Sequence, residues 1–119
     1  MSEHLDSAIL SSLQEIMGEE YPVLLDTFLA DSEERVRLLR EALGQSDAQA
    51  LRQAAHSFKG SCSNMGAPLL AGLCRLLEEA GRRGQLDGCE AQLEHLEREL
   101  AIVRIMFRSE RQRFVIGRS

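Results

Sequence analysis

The sequence predicts an all-α protein, an up-and-down antiparallel four-helix bundle with a short N-terminal fifth helix across one end. Three observations predict it. Apolar residues recur at helical spacings in several segments, and no segment shows a convincing alternation of period two. Leu, Ala, Glu, Arg and Gln dominate, with two prolines, one tyrosine, four phenylalanines and no tryptophan, a composition that leans towards helix. Short turns join the long segments, which favours antiparallel neighbours. A chain of 119 residues fits one domain, 1–119, with a core over 5–108 and a fraying C-terminal tail over 109–119.

The first helix runs from about Asp6 to Met17 on a stripe of Ile9, Leu10, Leu13, Ile16 and Met17, and Gly18 closes it. The second starts near Tyr21-Pro22, where proline suits the first turn, and continues to Leu43. Its stripe includes Val23, Leu24, Phe28, Val36, Leu39 and Leu43, and Gly44 is its stop. Ser46 is a good N-cap for the third helix, which Gly66 ends. Pro68 opens the fourth, whose broad apolar face runs through Leu69, Leu70, Leu73, Cys74, Leu76 and Leu77 until Gly81 and Gly84 break it. The fifth extends from about Leu86 to Phe107 or beyond, with Cys89, Leu93, Leu96, Leu100 and Val103 inward.

The bulk numbers exclude several functions. A net charge of -5 argues against nucleic acid as the main partner, since phosphate contacts need surplus basic side chains. No apolar run approaches a membrane span, and the polar N-terminus is no signal peptide. Cys62, Cys74 and Cys89 form no C-x-x-C pair and read as reduced core thiols of a cytoplasmic protein. Monomer is the expected state, because the exposed faces are charged.

The third helix carries the chemistry. Leu51, Ala55, Phe58, Cys62 and Met65 recur at spacings of four and three, which is a core stripe. His56 follows Ala55 and is therefore turned about 100° away from that stripe. Its own face holds Arg52, Gln53, Lys59, Gly60 and Ser63. Lys59 is the sole lysine of a chain whose other basic residues are arginines. Gly60 falls in mid-helix, where glycine costs about 1 kcal/mol relative to alanine, and it clears space beside the imidazole. An exposed helical histidine is ordinarily just solvated. The combination of an imidazole, a nearby ammonium and a bare backbone patch points instead to a histidine that holds a phosphoryl group.

The run His56-Ser57-Phe58-Lys59-Gly60, then Ser61, Ser63, Asn64 and Gly66, then Leu73-Cys74-Arg75-Leu76-Leu77-Glu78, resembles the signature of histidine phosphotransfer (HPt) domains. It looks most like the freestanding bacterial type. The match spans about residues 51 to 80. The resemblance implies a phosphorelay intermediate of a two-component system, taking a phosphoryl group on His56 from a receiver-domain aspartate of a hybrid sensor kinase. A response-regulator aspartate would receive it next. Lys59 would stabilise charge, Gly60 would give access, and Gln53 or Ser63 would offer polar contacts. The phosphorylated ring nitrogen stays open.

A neutral imidazole is a competent nucleophile, and phosphoryl transfer depends mainly on positioning and on charge stabilisation at the equatorial oxygens. With one lysine for that task and no clustered carboxylates, the chain reads as a carrier without its own cofactor. Magnesium and much of the catalysis would come from the receiver. Ile9, Leu13, Leu25 and Arg52 are candidates for the partner surface. Three competing readings are weaker. A sensor-kinase dimerisation domain would follow its histidine with an acidic residue, where Ser57 stands here. A di-metal bundle needs Glu-x-x-His pairs, whereas Met1, Gln53 and Gln92 precede the histidines, with His4 in a frayed terminus and His95 facing water. A phosphate-independent adaptor that binds a signalling partner is the main alternative.

Overall fold

The computed structural model describes residues 4–117. Five α-helices follow one another: α1 (Ser7–Met17), α2 (Tyr21–Gly44), α3 (Ala48–Asn64), α4 (Pro68–Arg83) and α5 (Cys89–Gly117). A single 3-10 turn, Gly18–Glu20, links the first two. The helices α2 to α5 pack in a ring, each against its sequence neighbours, with α5 closing back on α2. Alternating chain direction follows from the turns, which are too short for any crossover.

Aromatic layers and side-chain pairs fix the register. Tyr21 meets Phe114 with ring centroids 5.4 Å apart, and one layer further Phe28 meets Phe107 at 5.5 Å and Phe58 at 6.4 Å. Along the outside of the same seam, Asp26 pairs with Arg111, Glu33 with Arg104, and Glu97 with Arg40. The antiparallel order of α2 and α5 is written in those pairings.

Several ends differ from the sequence-based expectation. Asp47, not Ser46, caps α3, its carboxylate accepting from the Ala50 N–H at 3.0 Å, while Ser46 turns the chain at φ 52°. Carboxylate and hydroxyl are both good caps, so adjacency alone did not separate them. Gly81 does not break α4; it lies buried inside the helix, which ends at the left-handed Gly84. The last helix begins at Cys89, after Gly88, and not at Leu86. On α2, Val23 is exposed while Tyr21, Leu25 and Leu29 take the core positions, and on α4 Leu76 is exposed.

Both termini depart further. The segment expected to fray remains helical to Gly117, with Phe114 buried and the Tyr21 hydroxyl donating to Glu110 at 3.0 Å. Residues 118 and 119 lie outside the described residues. At the other end His4 is not frayed: its Nδ1 lies 2.7 Å from the buried carboxylate of Glu99. The Asp6 N–H donates to the Gly66 carbonyl at 2.8 Å, tying the start of α1 to the α3–α4 turn.

Candidate functional site

The site stands on α3 and α4, the most closely packed pair of helices. Leu51, Ala55, Phe58 and Cys62 bury one face of α3. His56 lies off that face, and its side chain is 68% exposed. The helices meet closely because Gly81 lacks a side chain: a Cβ there would stand 2.7 Å from the Ala48 carbonyl and 2.8 Å from the Arg52 nitrogen. One turn before Gly81 on α4 comes Glu78, and one turn after Arg52 on α3 comes His56. Close approach at one level therefore brings carboxylate and imidazole together at the next.

Glu78 is the residue that the sequence reading missed. One carboxylate oxygen lies 2.7 Å from Nδ1 of His56, and the other accepts from the Lys59 ammonium at 2.6 Å. The Lys59 hydrogen bond foremost, and then that of His56, holds the Glu78 carboxyl below the usual carboxylate range, against partial desolvation. An ionised carboxylate only accepts hydrogen bonds, so Nδ1 must be the donor. The neutral ring then carries its lone pair on Nε2, the nitrogen pointing away from the tether. Sequence held a signal for this: Leu77-Glu78 was part of the motif, and an α3–α4 hairpin turning at residues 65–67 sets Glu78 opposite His56.

The other candidates divide into those near the imidazole and those elsewhere. Arg52, Gln53, His56 and Glu78 line one concavity of about 250 Å³. Gly60 is exposed, and a Cβ built there would meet nothing within 4 Å. Helical side chains lean towards the N-terminus, so a side chain at position 60 would lean over the ring of His56. Lys59 is engaged with Glu78 instead of reaching out alone. Ser63 is exposed but about 10 Å further along the helix from His56, at 1.5 Å of rise per residue.

Of the residues expected to form a partner surface, the structure contradicts Leu25. Leu25 is fully buried and cannot face a partner, because α2 turns it inwards beside Tyr21 and Phe28. Ile9 and Leu13 are half-buried on α1, where Ile9 packs against Gly66 beyond the end of α3. Leu38, Ala50, Ala54 and Gln53 line a second concavity of about 330 Å³ between α2 and α3, which shares Gln53 with the first. On that side Arg35 reaches across from α2 to the hydroxyl of Ser57. Among the described residues no cluster of three or more His, Cys, Asp or Glu could hold a metal ion.

The Hpt domain family matches residues 23–105, which include α3, α4 and every residue around His56. The chain belongs to that family. This HPt protein is similar to the crystal structure of histidine-containing phosphotransfer protein B from Pseudomonas aeruginosa. The two share 63% identity over 95% of this chain and 98% of the other, with a TM-score of 0.92. A histidine-containing phosphotransfer protein from Medicago truncatula shares the fold at a TM-score of 0.80 and 22% identity, over 98% of this chain and 84% of that one. No curated protein matches the sequence. The HPt chain is thus a histidine phosphotransfer protein of a phosphorelay, a phosphocarrier and not an enzyme. No helix among its described residues is long and apolar enough to cross a membrane.

Proposed function

We propose that Nε2 of His56 is the phosphoryl acceptor, taking the group from an aspartyl phosphate of a hybrid kinase's receiver domain. A response-regulator aspartate then receives it. The observation that carries this reading is the Glu78 carboxylate 2.7 Å from Nδ1 of an exposed ring. In the step, the Nε2–phosphorus bond forms as the aspartyl oxygen–phosphorus bond breaks, releasing the receiver's carboxylate. No proton has to move. The imidazole keeps its Nδ1 proton, and Glu78 offsets the positive charge that the ring acquires.

Lys59 holds Glu78 in place and keeps it charged, while Gly60 leaves the line of attack open. Magnesium belongs to the receiver in this scheme, since the site here offers one tethered carboxylate and no cluster. Docking falls on the α2–α3 side, where the Leu38 concavity adjoins that of His56 through Gln53. Three free, buried cysteines suit the reducing cytoplasm.

The test is to mix the purified chain with phosphorylated receiver domains and search for acid-labile label by mass spectrometry. Label on His56, lost in His56→Gln, supports the reading. A His56→Gln protein that still signals fully would make the chain a phosphate-independent adaptor.

A further inference from the structure

We propose that Arg52 holds the phosphoryl group once it sits on His56, an inference that rests on His56 being the acceptor. The sequence reading gave this task to Lys59. In the structure the Lys59 ammonium is already engaged by Glu78 at 2.6 Å, and the other oxygen of that carboxylate is on Nδ1. The phosphoryl oxygens on Nε2 face the opposite edge of the ring. A cation on that side would offset their charge.

Arg52 is placed for it. It lies one turn before His56 on the same face of α3, and helical side chains lean back over the preceding turn. The His56 ring therefore leans over Arg52 and Gln53, and these three residues line one concavity of about 250 Å³ together with Glu78, whose carboxylate is held by Lys59 and Nδ1. Arg52 is exposed and, among the described residues, makes no ion pair, whereas Arg37, Arg40 and Arg111 are tied to carboxylates. Its backbone is fixed by the close approach of Gly81. A guanidinium presents a planar fork that matches two phosphoryl oxygens, which an ammonium cannot do.

The experiment separates phosphoryl binding from receiver docking by using a small donor. The full chain is treated with phosphoramidate and no receiver; Nε2 bonds to phosphorus as ammonia leaves, and labelling is followed by mass and ³¹P NMR. Arg52→Gln is expected to slow labelling by about fivefold or more and to move the phosphohistidine resonance. Arg52→Lys should recover part of the rate. Arg98→Gln, on exposed α5, should match wild type and so control for net charge, with circular dichroism confirming that each variant is folded. Wild-type rate and resonance in Arg52→Gln would overturn the inference. So would a defect seen only with a receiver, which would make Arg52 a docking residue. Absence of His56 label from wild type with both donors would instead remove the acceptor reading, and this inference with it.

Discussion

The carboxylate of Glu78 bridges His56 and Lys59, with 2.7 Å to the imidazole Nδ1 and 2.6 Å to the ammonium. Three side chains from two helices thereby act as one unit. The carboxylate sets the tautomer of the ring, and the lysine keeps the carboxylate charged. Replacing Glu78 by Gln retains its shape but removes its charge, so the ring loses both a fixed tautomer and its counter-charge. Transfer from a phosphorylated receiver should slow by about tenfold, the lower end for losing the hydrogen-bond partner that fixes a histidine's tautomer and orientation. Rapid-quench kinetics measure the rate, and ¹⁵N NMR should show a mixture of His56 tautomers. An unchanged rate would mean that Glu78 only ties α3 to α4.

Lys59 gives a pH prediction of definite sign. Glu78 has its folded-state pKa depressed by Lys59 first and His56 second. Its contribution to stability is therefore present above the ordinary glutamate value of about 4.3 and lost as pH falls through the lower folded-state value. In Lys59→Met the titration midpoint of the Glu78 side chain, read by ¹³C NMR, should rise towards the ordinary value. The drop in Tm between neutral and acid pH should become shallower. A midpoint unmoved by Lys59→Met would assign the depression to another cause.

Two mid-helix glycines should behave in opposite ways. Alanine at position 81 would push its Cβ into the backbone of α3, 2.7 Å from the Ala48 carbonyl, and should cost about 2 kcal/mol as overpacking. Alanine at position 60 meets nothing within 4 Å and should stabilise α3 by about 0.5–1 kcal/mol through helix propensity. The same Gly60→Ala change should slow receiver transfer. Urea unfolding gives both stabilities, and a stabilised Gly60→Ala protein with undiminished transfer would refute an access role.

The extended C-terminal helix contributes to the bundle. Phe114 is buried against Tyr21, so Phe114→Ala should lose about 3 kcal/mol, the lower end for a buried phenylalanine. Burial first, and the charge of Glu110 second, raise the pKa of the Tyr21 phenol. Because the folded state holds this proton more tightly, stability is retained below the ordinary tyrosine value of about 10 and falls as pH rises above it. Tyr21 is the sole tyrosine, so ultraviolet absorbance follows it directly. Titration at the ordinary value with the protein still folded would contradict the packing described here.

Much of this was legible in the residues because helical periodicity reports a buried face. The α3 stripe of Leu51, Ala55, Phe58 and Cys62 named the core, and His56 followed as the neighbour turned away from it. What escaped was determined between helices. Leu25 and Val23 are both apolar and two residues apart, and only the packing of α2 decides that Leu25 is inside. Gly81 looked like a breaker because glycine lowers helix propensity, yet its missing side chain admits the backbone of α3. The pairing of Glu78 with His56 needed the register of the α3–α4 hairpin. The tail is basic and reads as a fraying end, because its contact with Tyr21 through Phe114 joins residues 93 apart in sequence.

The most direct measurement is long-range ¹H–¹⁵N NMR on the phosphorylated chain, prepared with a phosphorylated receiver. A phosphoryl group on Nε2 of His56, with a proton retained on Nδ1, is the predicted result. Phosphorus on Nδ1, or on any residue other than His56, would contradict the account.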